Sequence, residues 1–264
     1  MPKPSIILVP GSFAPSGLYD SVADAVTVKG YVFRALHYPS IGLKAGPREG
    51  EPPTMYEDAA FIAKEVGSLV DEGKDVILIA HSYGAVPATE STKGLTRKER
   101  QKQGKEGGIV RLAYNTAILA AIGSSAEDVL REIPDKNRVQ FRFDEKGFAH
   151  IADIPQASKI IFSDLPSQEE RETWTKKFTN HSGVSFTNKL THAGYKDVPV
   201  SYLLCEEDQL IPPKNQRDGI EIIEKASGNK VDVTVVKVGH CPNITAEQEV
   251  VDWIVQEAGK HEDL

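Results

Sequence analysis

Six short runs of continuous apolar residues most constrain what this 264-residue chain can fold into. They are rich in Val and Ile, and continuous apolar runs are typical of strands buried on both faces of a parallel sheet. Amphipathic helical patterns lie between them, the clearest over residues 55–71. This alternation predicts an α/β fold. The runs are Ile6 to Val9, Val32 to Leu36, Val76 to Ala80, Ile109 to Tyr114, Val198 to Leu204 and Val231 to Val238.

The alternation is interrupted once, between residues 121 and 195, where polar helical patterns and loops replace strand-like sequence. We therefore predict a core of residues 1–120 and 196–264 and an inserted cap of residues 121–195. The insertion contains Trp174 and six of the nine Phe of the chain. These aromatic side chains either roof an apolar pocket or form a small core of the insertion. The six are Phe141, Phe143, Phe148, Phe162, Phe178 and Phe186.

Charge and cysteine content exclude several classes of partner. The chain has 31 Lys and Arg against 38 Asp and Glu, a net charge of -7, which makes nucleic acid or an anionic membrane a poor ligand. Its two cysteines, Cys205 and Cys241, are too few for a disulfide framework and lack the paired spacing of a zinc site. The first apolar run is shorter than a signal-peptide core. We expect a cytoplasmic protein, and a homodimer remains open.

The segment from Val76 to Ala85 carries the most specific chemical signal. A predicted buried strand runs into Ser82, which lies between the small residues Ala80 and Gly84 and precedes a helical pattern. This pattern is typical of a nucleophile elbow, a tight strand-to-helix turn that lifts the Ser hydroxyl above the sheet. Ala80 occupies the place of the usual first Gly, a mild departure because both residues are small. Ser82 is the candidate nucleophile.

A Ser hydroxyl becomes a good nucleophile only beside a base that an acid holds in place. His240 follows the last predicted strand, at the sheet edge where open α/β sheets gather their catalytic groups. The other six histidines lie in the elbow, loops, insertion or tail, where surface or packing roles are commoner. His240 is therefore the candidate base.

The candidate acid lies after the preceding predicted strand, where three carboxylates stand together. Asp208 is the preferred one of the three and Glu207 is the second choice. A carboxylate after the Ile109 strand, Glu127 or Asp128, ranks only third. Charged residues beside a Ser-Ser turn more commonly cap a helix than take part in catalysis.

Acyl transfer also needs N–H groups aimed at the developing oxyanion, each worth about 3–4 kcal/mol. The backbone N–H of Tyr83, directly after the candidate nucleophile, is one expected donor. The second is the backbone N–H of Ser12, in the loop after the first strand. In the same loop Gly11 permits the turn, and we expect Gly11 and Phe13 to line the substrate pocket.

The order Ser82, Asp208 and His240, each after a predicted strand, resembles the α/β-hydrolase superfamily over essentially the whole chain. Residues 204–212 and the single insertion are similar to the compact subgroup of plant methylesterases, salicylate-binding esterases and hydroxynitrile lyases. Residues 163–170 look closest to microbial members, most of them uncharacterised. The resemblance implies a six-stranded, mostly parallel sheet with helices on both faces and a small helical cap after the fourth predicted strand, with no metal and no organic cofactor.

Two positions bear on the reaction. Hydroxynitrile lyases of this subgroup place Thr and Lys where Gly11 and Cys241 stand here, which favours hydrolysis over cyanide elimination. We therefore predict a carboxylic ester hydrolase that cleaves a small apolar or aromatic ester or lactone through an acyl-enzyme. Two alternatives remain. One is a non-hydrolytic enzyme, such as a carbon–carbon lyase or a lactonising enzyme of secondary metabolism. The other is a receptor that binds a small molecule.

Overall fold

A computed structural model describes residues 2–262 of the chain. Six of the strands form one sheet in the order β2-β1-β3-β4-β8-β9, and every neighbouring pair is parallel. These six strands coincide with the six apolar runs, so the predicted six-stranded parallel sheet is confirmed. The strands are β1 (Ser5–Val9), β2 (Phe33–Ala35), β3 (Asp75–His81), β4 (Gly108–Asn115), β5 (Phe141–Phe143), β6 (Phe148–Ile151), β7 (His181–Ser182), β8 (Val200–Cys205) and β9 (Asp232–Val236).

Helices cover both faces of the sheet, as predicted. Because successive side chains of a strand point to opposite faces, Leu78 of β3 packs into one apolar cluster while Ile77 and Ile79 pack into another. Residues of α2 and α8 complete the first cluster, and residues of α1 and α10 complete the second. The helices are α1 (Asp20–Val28), α2 (Met55–Asp71), α3 (Ala85–Glu90), α4 (Arg97–Gln101), α5 (Ala126–Arg131), α6 (Ile154–Ile161), α7 (Gln168–Thr175), α8 (Pro213–Ser227), α9 (Pro242–Thr245) and α10 (Glu247–Glu262).

The inserted segment contains the predicted helices and, in addition, three short strands that the sequence did not predict. Strands β5, β6 and β7 form a separate antiparallel sheet. The turn between β5 and β6 is closed by Asp144, whose Oδ1 accepts the N–H groups of Lys146 and Phe148, each at 3.0 Å. These strands are only two to four residues long, so no periodic pattern could reveal them in the sequence.

Among residues 2–262, no helix is both long and apolar enough to cross a membrane. Within the same residues, no three or more His, Cys, Asp or Glu side chains are grouped so that they could hold a metal ion. The two cysteines, Cys205 and Cys241, are both buried and free.

Candidate active site

Ser82 lies at the tip of a tight turn between β3 and a short 3-10 helix that leads into α3. Its φ of 52° is in the left-handed region, which a residue with a Cβ adopts only at a cost. Gly84 makes the turn possible, since a Cβ there would lie 2.2 Å from the carbonyl oxygen of Pro10. The elbow thus depends on the missing side chain at Gly84, and it turns the Ser82 hydroxyl toward the carboxyl edge of the sheet.

Ser82, His240 and Asp208 form one chain of hydrogen bonds. The Ser82 Oγ lies 2.9 Å from Nε2 of His240, and Nδ1 of His240 lies 2.8 Å from Oδ2 of Asp208. All three side chains are buried. A carboxylate oxygen only accepts, so His240 donates its Nδ1–H to Asp208 and leaves Nε2 free to accept the Ser82 proton. The structure therefore brings together the candidate nucleophile, base and acid.

Asp208 is held in place by the chain that follows it. Its second oxygen, Oδ1, accepts the backbone N–H groups of Leu210 at 2.8 Å and Ile211 at 2.9 Å. These bonds fix the orientation of the carboxylate and direct its other oxygen toward His240.

The alternative acids lie elsewhere. Glu207 is exposed, and Glu127 pairs with Arg131 at 3.0 Å. Asp128 caps α5, where its Oδ2 accepts the N–H of Ser125 at 2.9 Å. Of the carboxylates considered, the structure places Asp208 against His240.

His81 and Tyr19, which no sequence pattern marks as site residues, join the predicted oxyanion loop to His240. The N–H of Gly11 donates to the Tyr19 hydroxyl at 3.2 Å, and that hydroxyl lies 2.6 Å from Nδ1 of His81. Nε2 of His81 donates to the backbone carbonyl of His240 at 2.8 Å. A second donor to this carbonyl is the hydroxyl of Thr116, at 3.2 Å.

The direction of these bonds follows from charge and burial. Burial, with His240 close by, lowers the pKa of His81 to about 3, so its ring is neutral and carries one N–H. That N–H must be on Nε2, because the His240 carbonyl only accepts. Nδ1 is then an acceptor, and the Tyr19 hydroxyl, whose pKa burial raises well above its usual value, donates to it.

The predicted oxyanion loop is fastened on both sides of Ser12. The Tyr38 hydroxyl donates to the carbonyl of Pro10 at 3.2 Å. Phe13 has a φ of 64°, its N–H donates to Nδ1 of His181 at 3.4 Å, and its carbonyl accepts the N–H of Thr179 at 2.8 Å. The inserted segment, which supplies His181 and Thr179, thus holds the loop against the core.

Two unequal cavities meet at Ser82 and Ser12. The larger one, of about 240 Å³, is mostly apolar and is bordered by Phe141 and Phe186 of the insertion. The smaller one, of about 40 Å³, is lined by His240 and Cys241 and also contains Gly11, Phe13 and Phe178. The structure therefore places the two predicted pocket residues, Gly11 and Phe13, in the smaller cavity.

The insertion both roofs the site and has its own core. Phe141 and Phe186 line the larger cavity and Phe178 lines the smaller, whereas Phe148 and Phe162 are completely buried. The two roles left open by the sequence thus coexist within one segment, on different aromatic residues.

The fold and this constellation are those of the α/β hydrolases. A family model described as the alpha/beta hydrolase family matches residues 6–253, and the chain belongs to this family. The resemblance to the superfamily inferred from the sequence is therefore confirmed.

Two fungal proteins are similar over nearly their whole length. Probable hydrolase R7 of a Phoma species is 34% identical over 263 residues, covering 98% of this chain and 100% of the relative. Alpha/beta hydrolase nvfD of Aspergillus novofumigatus is 28% identical over 262 residues, covering 98% of each chain.

Solved structures share the fold at low identity. A pyrethroid hydrolase of Sphingobium faniae superposes with a TM-score of 0.71 and 18% identity, covering 99% of each chain. An extracellular α/β-hydrolase of a Paenibacillus species, described as a structural and functional homologue of tobacco salicylic acid binding protein 2, gives a TM-score of 0.72 and 16% identity. That match covers 96% of this chain and 98% of the other.

Proposed function

We propose that this α/β hydrolase cleaves a carboxylic ester or lactone with an apolar or aromatic acyl body, using Ser82, His240 and Asp208 as a catalytic triad. The observation that carries the proposal is the buried hydrogen-bond chain between these residues, starting at a strained elbow and opening on an apolar cavity. Binding alone would need neither the ordered tautomer of His240 nor the positive φ of Ser82.

The reaction follows from the direction of the bonds. His240 Nε2 takes the Ser82 proton as Oγ attacks the carbonyl carbon, and Asp208 stabilises the imidazolium. The backbone N–H groups of Ser12 and Tyr83 bind the oxyanion. His240 then donates its proton to the departing alkoxide, and a water molecule, deprotonated by the same Nε2, releases the acid from Ser82.

The unequal cavities support an orientation for the substrate. The departing oxygen must receive a proton from His240, and His240 lines only the 40 Å³ cavity of the two. We therefore place a small alcohol portion in that cavity and the apolar acyl body in the 240 Å³ cavity.

Active-site labelling combined with turnover tests the proposal. Wild-type protein is incubated with a fluorophosphonate and, in parallel, with p-nitrophenyl acetate, and adducts are measured by intact-protein mass spectrometry. We expect one adduct and ester turnover in wild type, and neither in Ser82→Ala. Asp208→Asn should keep the bonds from Leu210 and Ile211 but lower kcat by about 10⁴, because an amide opposite Nδ1 favours the wrong His240 tautomer.

Two outcomes would contradict the proposal. Turnover that persists in Ser82→Ala would mean that the proposed triad does not carry the activity. Wild-type protein that gives neither adduct nor turnover would instead favour a non-hydrolytic enzyme or a ligand-binding protein.

A further inference from the structure

A second apolar groove, of about 410 Å³, adjoins the larger cavity, and His240 is not among its lining residues. The two spaces share four lining residues and so have one wall in common. The shared residues are Glu127, Leu130, Phe141 and Phe186. The groove continues beyond this wall along Phe143 and Val184. We call it the outer groove and the 240 Å³ space the inner cavity.

Packed aromatic rings form an apolar surface that runs from Phe13, in the loop after β1, to the outer groove. The Phe13 ring lies 5.0 Å from that of Phe141 and 6.4 Å from that of Phe186, measured between centroids. Phe143 extends this surface outward, and its ring lies directly on the backbone of Gly183, where a Cβ would come within 2.8 Å of Cε1 of the ring. A ligand held on Phe141 would therefore meet Phe143 next.

The outer groove leaves large apolar side chains exposed to water. Phe143 is 63% exposed and Val184 is 40% exposed. Glu127, the charged residue in its lining, is paired with Arg131. A contiguous exposed apolar patch marks a binding surface, and the continuity of this one with the inner cavity indicates that its occupant is the far end of the molecule whose carbonyl lies at Ser82.

We propose that the substrate is an ester of a long or multi-ring apolar acid, whose acyl body fills the inner cavity and continues into the outer groove. An apolar cavity of roughly 150 Å³ holds one benzene molecule, so the inner cavity takes one ring with a short chain, or about eight carbons. A larger body must leave the inner cavity, and the outer groove offers it an apolar surface. This inference rests on the proposed ester hydrolysis, and it replaces the small ester or lactone expected from the sequence with an ester that has a large acyl body.

A chain-length series tests the inference. kcat/KM is measured for methyl esters of straight-chain acids with 4 to 14 carbons, by following acid release. In wild type we expect a rise of about fourfold per methylene up to about eight carbons, where each methylene is fully buried. A smaller rise, about twofold per methylene, should continue to about twelve carbons in the half-open outer groove.

Variants of the outer groove should change only the second part of this rise. Val184→Asp and Phe143→Ser should retain kcat/KM within about twofold for four- and six-carbon acids and lose about tenfold for the twelve-carbon acid. The matched control is Val28→Asp, the same substitution at a Val of α1 that is 85% exposed and far from the groove in the sequence. It should leave the whole series unchanged.

The outcomes separate this inference from the proposed function. If wild type hydrolyses short esters but gains nothing beyond eight carbons, or if both variants lose activity equally at every length, the outer groove does not bind the substrate. If no ester is hydrolysed, the proposed function fails. The binding of dodecanoate and hexanoate, measured by calorimetry, then tests separately whether the outer groove binds an acyl chain. Tighter binding of dodecanoate in wild type that is lost in Val184→Asp supports the groove, and equal binding of the two acids overturns it.

Discussion

Replacing Tyr19 with Phe should disconnect His240 from the proposed oxyanion loop while leaving the three residues of the proposed triad intact. The change removes one oxygen atom from a buried ring. That oxygen accepts the N–H of Gly11 at 3.2 Å and donates to Nδ1 of His81 at 2.6 Å. Gly11 and His81 are both buried, so the substitution leaves one buried donor and one buried acceptor without their protein partner.

The expected magnitude follows from these two groups. A buried donor or acceptor left without a partner costs about 1–3 kcal/mol, so Tyr19→Phe should lower the free energy of unfolding by about 2–6 kcal/mol. A chain of this size loses about 2–4 °C in Tm for each kcal/mol. His81 also holds the His240 carbonyl at 2.8 Å. Since a displacement of about 1 Å near reacting atoms can cost about 100-fold, we expect kcat to fall 10- to 100-fold, with KM changed less than about twofold.

The assay compares kcat, KM and Tm for wild type, Tyr19→Phe and Tyr114→Phe, with kinetics measured well below the lowest Tm. Tyr114 is the matched control, because it too is fully buried and its hydroxyl lies 2.7 Å from Thr89, outside the cavities at Ser82. Thr89 keeps its bond to the carbonyl of Ala85, so this variant should lose only about 1 kcal/mol and no kcat. Equal kcat values for Tyr19→Phe and wild type would refute the positioning role, as would an equal loss of kcat in both variants.

Two other perturbations have calculable outcomes. Gly84→Ala should abolish the elbow and with it fluorophosphonate labelling, because the new Cβ would collide with the Pro10 carbonyl. The control is Gly67→Ala in α2, where a Cβ meets nothing within 4 Å. This variant should be neutral or raise the free energy of unfolding in urea by up to about 1 kcal/mol. Burial lowers the pKa of His181 to about 3. The contribution of the neutral ring to the free energy of unfolding is therefore complete above the unfolded pKa of 6.5 and is lost as the pH falls toward 3. Between pH 7 and 5, the free energy of unfolding in urea should fall by about 2 kcal/mol less in His181→Phe than in wild type. Identical pH slopes in the two proteins would contradict the buried neutral state of His181.

The sequence predicted those parts of the site that depend on where strands end. Asp208 and His240 follow adjacent parallel strands, and the carboxyl ends of such strands meet at one edge, so their proximity was expected. Tyr19 and His81 were missed because their meeting depends on how the loop after β1 packs over the elbow. No spacing in the sequence encodes that contact between residues 62 positions apart.

The aromatic residues of the insertion show the same limit. Phe141 lines the cavity and Phe148 is buried, although both lie in one short hairpin. Their roles depend on which side of a three- or four-residue strand faces the core, and such strands leave no periodic signal.

The long separation of Ser82 and His240 affects how the protein is made. The two residues are 158 positions apart, so at about 5–20 residues per second a ribosome adds His240 some 10–30 s after Ser82. Until then the elbow has no base, and the face of the sheet that Val250 and Ile254 of α10 cover is also open. The nascent chain is therefore expected to be inert toward esters, and a fragment released before Gly239 should have no hydrolase activity. Under the proposed function, hydrolysis begins only after His240 has been added and has reached Ser82.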